Sequence, residues 1–280
     1  MSRLRIREAV DRLVAGLVVL ALMLAATPVL ILLLFVVIKG LPGMLAPGFF
    51  TDLPHPQGVP GGGVFNAILG TLIIIGFASL AAVPVGVLIG VFLSEYGHNR
   101  LGDTVRFVSD VLTGMPSIAF GIFAYTVLVA THVVGFSAIA GSAALAVLML
   151  PVVLRSTETA LLLVPNTFRE AGLALGAPQW RVTLQIVVPA ALGGIVTGAL
   201  LSMARAVGET APLLFTAFGN EFLQLNPFRP MGALSLTVFK NALVPYANLQ
   251  DQAWAAALLL VLLVSITNIL ARFYVRRIQR

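Results

Sequence analysis

The sequence predicts an all-α polytopic membrane protein with six transmembrane helices. Three observations carry that expectation. Of 280 residues, 59% are hydrophobic and only 10% are charged, and the mean hydropathy is +1.02. A soluble globule needs roughly 25–35% charged residues on its surface, and 17 Lys+Arg with 11 Asp+Glu fall short of that. The charges also cluster, leaving uncharged runs at 13–38, 53–94, 111–154, 182–204 and 252–271, none shorter than 20 residues. About 20 apolar residues are what a bilayer core asks of one helix. This composition excludes a soluble enzyme, a disordered chain and a nucleic-acid binder. The pI near 10.5 is explained by basic loops beside membrane spans. With no Cys, disulfides, thiolate catalysis and Cys-ligated metals drop out.

The first element is a helix over 13–38. Arg3, Arg5, Arg7 and Arg12 precede it as they would a secretory signal, but a signal's apolar core is about 7–15 residues and this stretch has 26. It is expected to remain as an anchor. The next run opens with Pro54, Pro56, Gly58 and Pro60-Gly61-Gly62-Gly63, which no helix tolerates well, so the second span is 65–93. Residues 111–154 would make a helix of ~66 Å, about twice the hydrocarbon thickness. The run must fold back, and Gly135-Phe136-Ser137 divides it into spans at 116–134 and 138–154. Spans five and six are 183–204 and 252–271. Between them, Ala211–Gly219 is apolar but too short to cross and is expected as a re-entrant or interfacial element.

Six spans put both termini on one side. Placing the termini and the loops 94–110 and 155–182 in the cytoplasm puts 13 of the 17 Lys+Arg inside, leaving Lys39, Arg205, Arg229 and Lys240 outside. That asymmetry follows the positive-inside rule. The segments 155–182 and 205–251 are too long for simple connectors and are expected to be functional.

Within the cytoplasmic segment, Pro165-Asn166 opens a short helix, and Gly176 followed by Pro178 closes it. Phe168, Ala171, Gly172 and Leu175 recur at i, i+3, i+4, i+7, giving one face with an aromatic knob among small neighbours. Spacing fits this face equally to a groove on another protein or to the chain's own spans. The segment resembles the permeases of binding-protein-dependent ABC importers, whose cytoplasmic motif reads EAA, three residues, G, nine residues, I, one residue, LP. Glu170, Ala171, Gly176, Ile186 and Pro189 stand at matching positions, with Gly172 replacing the second Ala and Val188 the Leu.

The resemblance implies that residues 65–275 form a MetI-like permease domain with a coupling loop at 155–182, preceded by an anchor helix and outer loop at 1–64. It implies further that the helix carrying Phe168, Arg169, Glu170, Ala171, Gly172, Leu175 and Gly176 docks in a cleft of a cytoplasmic ATPase dimer, with Arg169 and Glu170 able to pair with ATPase side chains. A sister permease and an extracytoplasmic binding protein are the other implied partners, in the bacterial inner membrane. No G-x-x-x-x-G-K-[ST] phosphate loop exists, since the only lysines are Lys39 and Lys240. ATP is therefore expected to be hydrolysed in trans, with no enzyme activity and no cofactor in this chain.

The fifth span carries two stripes. Ala190, Gly194, Gly198, Ser202 and Ala206 repeat every fourth residue, the pattern that lets membrane helices pack backbone to backbone. Beside it run Gly193, Thr197, Leu201, Arg205 and Glu209, ending in two charges. Pro189 is expected to kink the start of this helix. Arg205 and Glu209 read either as an interfacial ion pair or as part of a pathway for an anion, for which Arg offers a planar fork of donors. Arg155, ending the long uncharged run, is a second pathway candidate or a positive-inside anchor.

Ala204-Arg205-Ala206-Val207-Gly208-Glu209-Thr210-Ala211-Pro212-Leu213-Leu214 is similar to a segment of the membrane permeases of the bacterial phosphate importer. So are Phe92–Gly97, Leu112–Ser117 and Leu150–Glu158. Of that importer's two sister permeases, Thr210-Ala211-Pro212-Leu213 favours one. The resemblance implies inorganic phosphate as the transported ion; molybdate or sulfate is the alternative within the class. A different class is an ion-coupled secondary transporter, against which all eleven acidic residues are expected in loops or at span edges. An intramembrane enzyme is disfavoured because His55, His98 and His132 are not spaced to hold a metal or form a dyad.

Overall fold

The computed structural model describes residues 2–57, 59 and 61–278. Gly58 and Pro60 of the outer loop, and the side chains of Arg3 and Arg5, lie outside the described residues. Among the described residues five helices are long and apolar enough to cross a membrane, and a bent pair counts as a sixth when taken as one span.

The first helix, α1 (Ser2–Met44), outruns its apolar stretch at both ends and passes through Pro28 and Pro42. It meets the rest of the molecule chiefly at its far end, where Gly40 and Gly43 lie against Trp254, Asp251 and Ala255 of α11 (Ala247–Ile278). Bare glycine backbone is what allows that approach, since a Cβ at Gly40 would stand 2.5 Å from the Trp254 carbonyl oxygen. The following α2 (Phe65–Glu95) is the expected second span, and it packs most extensively against α5 (Ala138–Leu162). Ser142 Oγ donates to Ile74 O at 3.0 Å, and Gly86 and Gly90 lie against Val153 and Thr157. The pairing advances in the same direction along both helices, so α2 and α5 are parallel.

Two parallel spans require one return crossing between them, and here the structure corrects the sequence reading. The expected loop at 94–110 and span at 116–134 are instead α3 (Arg100–Gly114) and α4 (Ser117–Ala124), the latter continuing as a π-helical turn over Tyr125–Val129. The bend between them is 103°. Met115-Pro116 breaks the helix because Pro has no N–H and forces its predecessor into an extended conformation; Met115 has φ −74° and ψ 140°. Residues 117–129 extend only ~20 Å, and Gly121 seats one face of α4 on Ala211 and Pro212 while Ile118, Ile122 and Phe123 stay exposed on the other. The expected fourth span, 138–154, runs on to Leu162.

Past α5 the chain forms α6 (Asn166–Ala174), then α7 (Gln179–Val182), a π-helical turn over Thr183–Val187 and α8 (Val188–Gly208). The kink expected at Pro189 takes the form of that wide turn immediately before it, a usual accommodation where an i→i−4 donor is missing. Ala211–Gly219 contains the short α9 (Ala211–Thr216), packed on α4 and α5. The long segment after it holds α10 (Leu234–Ala242), which packs on α11. At the centre lie Ile74, Leu145, Met149, Ala206, Leu213 and Met231, from four of these helices and the loop before α10.

Candidate functional site

Two features converge on the same side of α5. The small-residue stripe of α8 packs there as its spacing predicts: Gly194 stands against Ala160, and Gly198 against Ser156 so closely that any side chain at 198 would overlap it. Positions rise on α8 as they fall on α5, so the helices are antiparallel, and the register carried upward sets Arg205 opposite Met149. By helical rise that is ~17 Å from one end of α5 and ~20 Å from the other. Arg205, in the last turn of α8, is thus level with the middle of α5, because α8 stops short and α9 carries the chain on: Leu213 and Ala217 touch Gly141 near the end of α5. Glu209 sits correspondingly opposite Leu145. It caps α8 in extended conformation, its carbonyl accepting from Ser235 Oγ at 3.0 Å. The carboxylate approaches Arg205 Nε at 3.6 Å, too long for a good hydrogen bond. The Arg205 side chain remains 47% exposed, and that of Glu209 16%.

The second stripe of α8 opens onto a groove of about 710 Å³ between α3, α5 and α8. Thr197, Gly198 and Leu201 line one wall, Thr159, Ser156 and Arg155 the other, with Asp110 and Thr113 of α3 at the side. Arg205 stands one turn of α8 beyond Leu201, and Arg155 lies about 9 Å below it along the axis. Arg155 lines the groove and Arg205 stands beyond it, and their electrostatics differ as well. Arg155 is neutralised within the chain: Nη2 donates to Asp110 Oδ1 at 2.5 Å and Nη1 to Glu158 Oε2 at 3.1 Å. Glu158, its side chain 6% exposed, also accepts from Arg106 Nε at 2.6 Å.

Sequence reasoning missed Asp110, Arg106 and Glu158. Their signal was present, since Asp103, Arg106 and Asp110 recur at helical spacing behind the N-cap Asn99, whose side chain accepts from Gly102 N at 2.9 Å. Of the acidic residues here, Glu209 caps the end of α8 and Glu158 lies buried about one turn before the end of α5.

At the end of α5 distant from α9, the motif residues lie on α6. Its predicted face divides. Gly172 is buried, a Cβ there meeting Val182 and Ile186 at 2.8 and 3.0 Å. Phe168, Ala171 and Leu175 are exposed, Leu175 by 88%, and Glu170 points outward beside them. Gly176 ends the helix with φ +81°, a left-handed conformation that disfavours any side chain. Arg169 departs from its expected role. Its guanidinium grips Glu95 at the end of α2, Nη2 to Oε1 at 2.6 Å and Nε to Oε2 at 3.2 Å, and donates to the carbonyls of Leu161 and Val164. It is occupied inside this chain because Pro165 turns α6 back beneath the ends of α2 and α5.

Comparison with known proteins agrees with this architecture. Residues 82–280 match the family model described as binding-protein-dependent transport system inner membrane component. The phosphate transport system permease protein PstA of Yersinia pestis is 45% identical over 237 residues, covering 84% of this chain and 80% of that protein. PstA of Haemophilus influenzae is 39% identical over 269 residues, covering 96% and 94%. PstA 1 of Mycobacterium tuberculosis is 42% identical over 223 residues, covering 78% and 72%. Among solved structures, an inward-facing conformation of the MetNI methionine ABC transporter superposes with a TM-score of 0.59 at 22% identity, covering 78% of this chain and 94% of the matched one. The chain belongs to the binding-protein-dependent inner-membrane transport family, among the PstA-type permeases.

Proposed function

We propose that this chain is the permease subunit of an ATP-driven importer and moves inorganic phosphate across the bacterial cytoplasmic membrane. The observation that carries the substrate reading is Arg205: a half-exposed guanidinium level with the middle of α5, one helical turn beyond the groove residue Leu201 and only loosely held by Glu209. Identity of 39–45% to phosphate permeases over most of the chain supports it. A planar fork of N–H donors matches a tetrahedral oxyanion, and a carboxylate 3.6 Å away weakens the hold enough for release. Arg155, already bound by two carboxylates, is a second station that an anion reaches only by displacing Asp110. The groove is open on one side, and a sister permease would close it.

Energy enters through α6. Phe168, Glu170, Ala171 and Leu175 form the surface offered to a cytoplasmic ATPase, Gly172 and Arg169 anchor the helix to this chain, and Gly176 sets where it ends. A soluble phosphate-binding protein delivers substrate on the opposite face, and both termini lie in the cytoplasm. The test is labelled-phosphate uptake in a strain lacking only this chain. Restoring the chain restores uptake, and a co-expressed ATPase unable to bind ATP abolishes it. Uptake that persists without nucleotide binding would assign the chain to ion-coupled secondary transport.

A further inference from the structure

Arg169 and Arg155 are linked through two sets of ion pairs that meet at the backbone of the α2 end. From α6, Arg169 binds both carboxylate oxygens of Glu95, the last residue of α2. Around that same helix end, Arg106 of α3 donates to Leu93 O and Gly97 O, each at 2.9 Å. Its Nε holds one oxygen of Glu158, whose other oxygen holds Arg155 at the groove. The two carboxylates are nearly sealed, with side chains 5% and 6% exposed.

Buried ion pairs of this kind are weak devices for stability, since apolar residues of similar volume hold a core as well. What they provide is fixed geometry. The Arg169 guanidinium is bound by two carboxylate oxygens and two helix-terminal carbonyls, so α6 cannot shift without carrying the ends of α2 and α5. Arg106 spans from α2 to Glu158, so a shift of the α2 end changes how Glu158 shares itself between Arg106 and Arg155.

We infer that Arg169–Glu95 and Arg106–Glu158 form a mechanical relay through which displacement of α6 reaches Arg155 and alters its hold on the groove. Glu95, Arg106 and Arg169 are positioning residues that touch no substrate. The inference rests on the reading of α6 as the ATPase-docking helix. Physical coupling of this sort needs a contiguous network and a perturbation that breaks one link.

The chain has no Cys, so Glu95→Cys with Arg169→Cys, in a complex whose other subunits carry none, creates one addressable pair. With thiols reduced, the complex keeps its ATPase on purification, but phosphate uptake per ATP hydrolysed falls on the order of tenfold. A short bifunctional thiol linker across the pair restores most of that ratio. A wild-type ratio with reduced thiols, or no recovery on linking, overturns the relay. If the double variant does not assemble, Glu95→Gln gives the same reading: retained ATPase with a reduced ratio supports the relay, and an unchanged ratio or loss of the ATPase overturns it. Failure of the docking reading shows separately, as a complex altered only by Leu175→Asp that binds its ATPase as well as the wild type does.

Discussion

Arg205 stands level with the middle of α5, and a guanidinium in the middle of a membrane helix costs roughly 2.5–3.5 kcal/mol on insertion scales. Glu209 returns little of that, because the pair is 3.6 Å apart and Arg205 is about half exposed. By contrast, Arg155, Arg106 and Arg169 each have carboxylate and carbonyl partners in good geometry. A cation left under-paired beside an open groove is what an anion pathway requires. Arg205→Gln is expected to lower phosphate uptake by at least about tenfold, the equivalent of ~1.4 kcal/mol, while the complex still assembles. Arg205→Lys should recover part of the loss, since the charge stays but the fork is gone. Failure of Arg205→Gln to assemble, seen by size-exclusion chromatography, would make the residue a structural ion-pair member.

Among the elements, α6 divides its work between an inner edge and an outer edge. Gly172 and Arg169 hold it to the chain, while Phe168 and Leu175 leave apolar surface exposed that the chain itself does not cover. Leu175→Asp is therefore expected to leave the permease folded but weaken ATPase retention and abolish stimulated ATP hydrolysis, measured on the purified complex; normal retention would contradict docking through this edge. The existence and bounds of α6 were legible because local chemistry sets them: Pro165 at one end, a left-handed Gly176 at the other. Which of its residues face inward was not legible, since a face at i, i+3, i+4, i+7 does not say what packs on it. Residues 100–114 were misread for a related reason. Their charges at 100, 103, 106 and 110 look like a polar loop in a hydropathy reading, yet on a helix Arg106 reaches Glu158 and the α2 end and Asp110 reaches Arg155.

For the whole molecule, span count and order followed from run lengths and turn residues, because lipid admits few alternatives to a helix. The depth of Arg205 did not follow, because it depends on where α8 stops relative to α5 and on α9 completing the rise. Sidedness follows from the charge asymmetry and is directly testable in a chain without Cys. Leu175→Cys should react with an impermeant thiol reagent only in inside-out membranes, and Phe222→Cys, at the opposite end and 77% exposed, only in intact spheroplasts. The reverse pattern would invert the topology.

The central claim is that this chain conducts phosphate under ATP control. Its most direct test is labelled-phosphate uptake into proteoliposomes holding this chain, its sister permease, the ATPase and the binding protein, with and without ATP and with excess unlabelled sulfate or molybdate. Uptake that requires ATP, is competed by unlabelled phosphate and is indifferent to sulfate and molybdate is the expected result. Uptake without ATP, or competition by either of the other oxyanions as strong as that by phosphate, would contradict it.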